Sequence, residues 1–223
     1  ASAGAVTIVP RHVLGGAGYV APSEKITVAN IGCGTQGLTE MVQLLAMPQV
    51  QVVAVCDPNK DSSDYVEWGR DSVRSTIAAG LGRPEWRKGA GRVPGGRDVG
   101  KEVVELYYSD KAPSGGFHGC ASYVDYRELL EKEKDIDAVK VMTPDHLHAI
   151  VSIAAMKKGK HVVMHKPLAN RVREARLVIE TARQTKVSTH FLPASEGQNV
   201  RMVAGWIADG AIGPVREVHV WSD

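Results

Sequence analysis

With 223 residues, 43% of them hydrophobic, the chain has enough apolar material for one substantial core and at most a fragment of a second. A formal charge of +2 gives no reason to expect nucleic acid or an anionic membrane as partner, and no run approaches the ~20 apolar residues of a membrane span. Cys33, Cys56 and Cys120 stand far apart, read as small buried hydrophobes rather than a disulfide framework, and leave the compartment open.

Residues 1–24, ASAGAVTIVPRHVLGGAGYVAPSE, are small and apolar and then turn polar. They read as the tail of an export signal, with A-x-A-like sites at Ala1–Ala3 and Ala3–Ala5, or as a flexible arm that packs on a partner subunit. Export to a periplasmic location is the favoured expectation, with the cytoplasm as the alternative.

The stretch from Lys25 to Asp57 organises the rest. Ile26, Val28 and Ile31 form a β-branched run of strand length. Gly32, Gly34 and Gly37 follow at G-x-G-x-x-G spacing. A helical pattern comes next (Leu38, Met41, Val42, Leu45), then an apolar strand from Val50 to Cys56, closed by Asp57. In a dinucleotide site the first glycine makes the tight turn and the second admits backbone to the pyrophosphate. The third lets helix and strand pack, with the helix N-terminus aimed at the phosphates. A carboxylate ending the second strand accepts hydrogen bonds from the adenosine ribose. Glycines alone are weak evidence in a chain with 23 of them; the strand–glycines–helix–strand–Asp context is what carries the reading.

An insertion of about 60–118 follows, where a simple mononucleotide fold has one helix and a short loop. It predicts a helix around Ser63 to Ala79, a basic Gly/Pro-rich stretch, and a second helix over about Val99 to Tyr108. Its arginines read as a solvated face, or as groups reaching for an anion. Asp125 is a good N-cap for YRELLEKEK, with Glu128 as capping-box partner. Ile136 to Met142 is a buried strand, followed by the turn Thr143-Pro144-Asp145-His146-Leu147-His148 and a helix stopping at Gly159. His161 to Met164 is another strand, then His165-Lys166-Pro167. A helix over Val172 to Thr185, a strand over Lys186 to Phe191 and a helix over about Asn199 to Ala208 complete the domain, taken as 25–213.

This rhythm predicts an α/β fold, a doubly wound parallel sheet, with ligands beyond the carboxyl ends of the strands. The glycine turn, Asp57, the 143–148 turn and Lys166 all fall at such ends. Val215 to Trp221, VREVHVW, alternates like a strand of a one-face-buried sheet. Residues 214–223 are therefore expected to start a second, substrate-binding or oligomerisation α/β domain. His146, His148, His161 and His165 lack clustered carboxylates or cysteines, so no metal is expected.

Three motifs, the glycine fingerprint with Asp57, the TPDHLH turn and the KPLA run, make residues 25–223 resemble the Gfo/Idh/MocA family of oxidoreductases. The segment AIGPVREVHVW is similar to that family's crossover into its second domain. The resemblance implies a Rossmann domain that binds NAD, or less readily NADP, and a small carbohydrate or polyol as substrate, usually in a homo-oligomer. It places Gly32, Gly34, Thr35, Gln36 and Gly37 on the pyrophosphate and Asp57 on the adenosine ribose. It also places Thr143, Pro144 and His146 along the cofactor, His148 near the nicotinamide, and Lys166 on the nicotinamide ribose and substrate hydroxyls. A partly desolvated lysine there can have its pKa lowered for proton transfer, and Pro167 holds it extended. His165 stands where the family pattern has glutamate and reads either as a second acid/base or as a packing residue. The expected activity is oxidation or reduction of a sugar or cyclitol hydroxyl. The alternatives are glycoside cleavage through transient oxidation and elimination, and a non-catalytic NAD-binding subunit.

Overall fold

A computed structural model describes residues 24–63, 65–67, 69–110, 119–192 and 198–219. The expected export segment at 1–23 lies outside the described residues, as do 111–118 of the insertion and the end of the expected strand at 220–221.

Six strands, β1 (Ile26–Ile31), β2 (Val50–Cys56), β3 (Ala121–Tyr123), β4 (Ala138–Val141), β5 (His161–His165) and β6 (Thr189–Leu192), form one sheet in the order β3-β2-β1-β4-β5-β6. The pairs β1–β2, β1–β4, β2–β3 and β4–β5 are all parallel. This is the doubly wound order, whose direction reverses between β1 and β4. β3, three residues long just after the insertion, is too short to leave a sequence signature.

Helices cover both faces: α1 (Thr35–Leu45), α2 (Ser72–Leu81), α3 (Arg97–Ser109), α4 (Tyr126–Lys132), α5 (Asp145–Lys157) and α6 (Val172–Thr185), with α7 (Gln198–Ala208) beyond β6. One core layer gathers Leu38, Met41, Val52, Ile77, Val99 and Val103, so the insertion helices α2 and α3 pack with α1 against β2. The other layer holds Val139, Val141, Leu129, Val151 and Val162. The insertion is thus part of the core, not an appended loop. Its first helix starts at Ser72, later than the expected Ser63, because Glu67 caps it from outside by accepting from the Asp71 and Val73 N–H groups.

Asp125 caps α4 as expected, accepting from Arg127 N–H at 2.8 Å. Glu128 does not complete a capping box; it pairs with Lys132 one turn on. α5 ends at Gly159, whose φ of +76° reverses the chain. By contact the chain divides into two compact units, 1–191 and 192–223. In the second unit α7 is followed by a turn with positive φ at Gly210 and Gly213, and 215–219 pair into no strand among the described residues. The expected strand over Val215 to Trp221 is therefore not formed in its described part; a strand forms only where a neighbour completes its ladder.

The amino ends of β1 and β4 are fastened by Asp137, whose carboxylate accepts from Thr27 N–H at 2.7 Å and the Thr27 hydroxyl at 2.9 Å. The Thr27 N–H is the main cause holding this carboxyl below the usual aspartate range. A depressed folded-state pKa contributes stability above the unfolded value, lost as pH falls through the folded one. The melting temperature should thus drop between about pH 5 and about pH 3, and Asp137→Asn should flatten that drop. Parallel profiles for the two proteins would remove Asp137 from the acid response.

Candidate nucleotide-binding site

At the reversal point, β1 ends in a turn that only glycine can make as it stands. Gly32 has φ +102°, and a Cβ there would collide with the Met142 carbonyl at the end of β4. A Cβ on Gly37, inside α1, would collide with the Gly32 carbonyl oxygen. The two absent side chains let helix, turn and β4 close up. α1 starts at Thr35 with Gly34 as N-cap, no capping side chain and no acidic residue in its first turn. Its first N–H groups therefore point out of the sheet with no partner in the helix, the arrangement that receives a phosphate.

Thr143 lies beside Gly32 across the crevice, and its buried Oγ1 has no hydrogen-bond partner among the described residues. An orphaned hydroxyl next to an open helix start and a glycine turn fits a polar, anionic ligand that supplies the missing bond. Asp57 ends β2 and is 5% exposed. Its Oδ2 accepts from Cys33 N–H at 2.8 Å; its Oδ1 accepts from Asn59 N–H at 2.9 Å and from the Tyr65 hydroxyl at 3.0 Å. The residues thus fit a dinucleotide, with one qualification of chemistry: the Asp57 edge expected to face the ribose is already bonded to Tyr65.

The insertion secures this loop from behind. The first N–H groups of α3 donate to the loop, Arg97 to Asn59 O and Asp98 to Lys60 O, both at 2.9 Å. The Arg97 guanidinium donates to Pro58 O at 2.9 Å. Other insertion arginines pair with the chain's own acids, Arg83 with Asp110 and Arg87 with Asp61 and Glu102. Neither reading of that basic stretch, a solvated face or groups reaching for an anion, included this pairing with the chain's own acids.

On the β5 side, Lys166 follows the strand in a cis peptide with Pro167, and its side chain is exposed. No hydrogen bond or ion pair engages the Lys166 ammonium among the described residues. His165, one position earlier, points the other way. Its Nε2 lies 3.0 Å from Glu40 Oε1, and Glu40 Oε2 pairs with Lys140 Nζ at 2.7 Å. Lys140 is 4% exposed in the middle of β4. Burial penalises the Glu40 carboxylate, yet hydrogen bonds from Gln36 and Lys140 and the charge of Lys140 outweigh it and hold the carboxyl below its ordinary range. Burial lowers the Lys140 pKa, with Glu40 opposing.

Several expected roles change. His148 was placed near the nicotinamide, but it is 1% exposed, with Nδ1 2.6 Å from Pro167 O and Nε2 2.7 Å from Thr143 O. Both ring nitrogens face main-chain carbonyls, of which a ring with one N–H bonds one at a time, so the ring fills the space between the 143–148 turn and the end of β5. His165 is tied to Glu40, which favours its packing role over that of a second acid/base. The Gln36 side chain donates to Glu40 at 2.9 Å, leaving only its backbone N–H for a phosphate. The Thr35 hydroxyl donates to Val66 O at 2.6 Å. Pro144 caps α5 and is exposed, as is His146 in the first turn. Sequence reasoning missed Tyr65, Glu40 and Lys140. The last left a signal, a lysine inside the buried run AVKV. Burial pushes Cys56 up to about 12 and Cys33 well above the usual thiol range, so neither thiol is a nucleophile at neutral pH. Among the described residues, no three His, Cys, Asp or Glu group as a metal site, and no helix is long and apolar enough to cross a membrane.

The model of an oxidoreductase family with an NAD-binding Rossmann fold matches residues 79–191. A 1,5-anhydro-D-fructose reductase of Ensifer adhaerens is 34% identical over 152 residues, 66% of this chain and 42% of that protein. An alpha-N-acetylgalactosaminidase of Shewanella oneidensis is 26% identical over 216 residues, 95% of this chain and 39% of that protein. Among solved structures, the scyllo-inositol dehydrogenase of Lactobacillus casei with NAD(H) and scyllo-inositol superposes with a TM-score of 0.54 at 16% identity, covering 85% of this chain and 42% of that one. The chain spans about two fifths of the length of these curated relatives.

Proposed function

The chain belongs to the Gfo/Idh/MocA oxidoreductase family, and from that premise we propose that it is the nucleotide-binding part of an NAD-dependent enzyme acting on a sugar or cyclitol hydroxyl. The observation that carries this reading is the cradle at the strand reversal: the Gly32 turn, the uncapped start of α1 and the orphaned Thr143 hydroxyl. Gly32, the backbone N–H groups of Thr35, Gln36 and Gly37, Thr143 and Asp57 would hold the nucleotide. Bound there, NAD supplies a hydride acceptor for a carbinol carbon.

The chain's own part is to orient the hydroxyl and manage its proton. The exposed Lys166 ammonium, one strand beyond the Thr143 turn, is the group we assign to that task. Its three donors hold a substrate hydroxyl, and its neutral form accepts the proton that leaves as hydride departs. His148 sits between the two turns, with its ring nitrogens against the Pro167 and Thr143 carbonyls. The buried carboxylate of Asp57 disfavours a 2′-phosphate, so NAD is preferred to NADP.

A second reading rests on the Shewanella glycosidase, which aligns over 95% of this chain. In it, oxidation of a ring hydroxyl by bound NAD would acidify the neighbouring C–H, elimination would release the aglycone, water would add to the enone left behind, and the hydride would return to the ketone, so no net redox change remains. One set of assays with the whole protein separates the readings. A dehydrogenase builds up reduced-nicotinamide absorbance in step with oxidised sugar and needs added NAD. A glycosidase releases aglycone with no net absorbance change and no added nucleotide. Tighter binding of NADP than NAD would reverse the assignment of Asp57.

A further inference from the structure

Tyr65 lies directly over the cradle and touches it at two independent places. Its hydroxyl donates to Asp57 Oδ1 at 3.0 Å, and its ring packs on Gly34, where an added Cβ would stand 2.9 Å from the ring. The next residue continues the contact, because the Val66 carbonyl accepts from the Thr35 hydroxyl at 2.6 Å in the first turn of α1. On its far side the ring packs against Gly95, where a Cβ would collide with it. The Asn59 amide donates to the Tyr65 oxygen at 2.9 Å, which fixes the phenol proton toward Asp57.

A carboxylate has about four acceptor positions, and those of Asp57 are shared among Cys33, Asn59 and Tyr65. The two N–H donors are backbone groups of the loops that form the site and cannot leave without unmaking it. Tyr65 is the only one of the three held by a side chain. A ribose hydroxyl that uses the Oδ1 edge of Asp57, already filled by Asn59 N–H and the phenol, must therefore take the place of the Tyr65 hydroxyl, and a pyrophosphate approaching α1 meets the Tyr65–Val66 backbone.

Resting on the NAD reading above, we propose that Tyr65 is a specificity-determining residue of the nucleotide site, a phenol that competes with the adenosine ribose for Asp57. It raises the threshold for occupancy: a ligand binds well only if it brings both a ribose diol to replace the phenol on Asp57 and a diphosphate for α1. Ligands with one of the two displace nothing and gain little.

The substitution Tyr65→Phe isolates this effect, because it keeps the ring between Gly34 and Gly95 and removes only the competing hydroxyl. NAD and ADP-ribose should bind the variant roughly tenfold more tightly by calorimetry, the scale of one hydrogen bond to a charged group. Inorganic pyrophosphate should bind both proteins alike. In the wild-type protein, NAD should also produce a near-ultraviolet tyrosine difference signal that Tyr65→Phe lacks, since the phenol moves from a buried carboxylate toward water. Equal NAD affinity in the two proteins, or weaker binding by the variant as a stacking role would give, overturns the proposal and leaves the NAD reading standing. Absence of NAD and ADP-ribose binding by both overturns the reading and the proposal with it. Matching circular dichroism and melting temperature for the variant exclude a folding defect as the source of a loss.

Discussion

Glu40→Ala should cost the fold about 3–5 kcal/mol, because it leaves the Lys140 ammonium buried in β4 without a counter-charge. Lys140 is 4% exposed, and Glu40 is its only ion-pair partner among the described residues, at 2.7 Å. Chemical denaturation should show a much lower midpoint with an unchanged slope. Lys140→Met should be milder, since Glu40 keeps the Gln36 amide and His165. The double variant Glu40→Leu with Lys140→Met should recover most of the loss, as replacing a whole buried pair with apolar groups is often neutral. A cost below about 1 kcal/mol for Glu40→Ala would mean that Lys140 reaches water and that the pair behaves like a surface bridge. The pair has a place in function as well as in stability. Glu40 joins the glycine helix to β4 through Lys140 and to the end of β5 through His165, one residue before Lys166. Loosening it should therefore blur the separation between the nucleotide cradle and the proposed proton-handling lysine.

The parts of this site made by local sequence were legible in it. Gly32 and Gly37 announce themselves because backbone geometry and contact demand glycine at those positions. The ends of β4 and β5 could be found because apolar runs stop abruptly at Thr143 and His165. The doubly wound order follows from alternating strands and helices, and the 172–185 helix from its apolar spacing. What was not legible depends on contacts between distant segments. Tyr65 is one aromatic in a polar loop, and nothing local aims it at Asp57. His148 reads as a ligand-facing residue until the Pro167 and Thr143 carbonyls are seen on its two nitrogens. His165 reads as an odd substitution until Glu40 arrives from α1. The two helices of the insertion are legible, but their place in the core is not, because it rests on their packing against β2 and α1.

On the proposed reading, Lys166→Ala in the active enzyme should lower kcat by about 10²-fold or more, the range for a positioned acid/base. The side chain is exposed at the end of β5, free of ion pairs among the described residues, and followed by Pro167, whose carbonyl lies against the His148 ring. NAD affinity should change little, because the Gly32 turn, the α1 N–H groups and Thr143 do not involve Lys166. Lys166→Arg should not restore turnover: a guanidinium stays protonated and presents a planar fork where a movable ammonium is needed. Near wild-type turnover would remove it from the chemistry, and the proton would then have to be taken by a group outside the described residues.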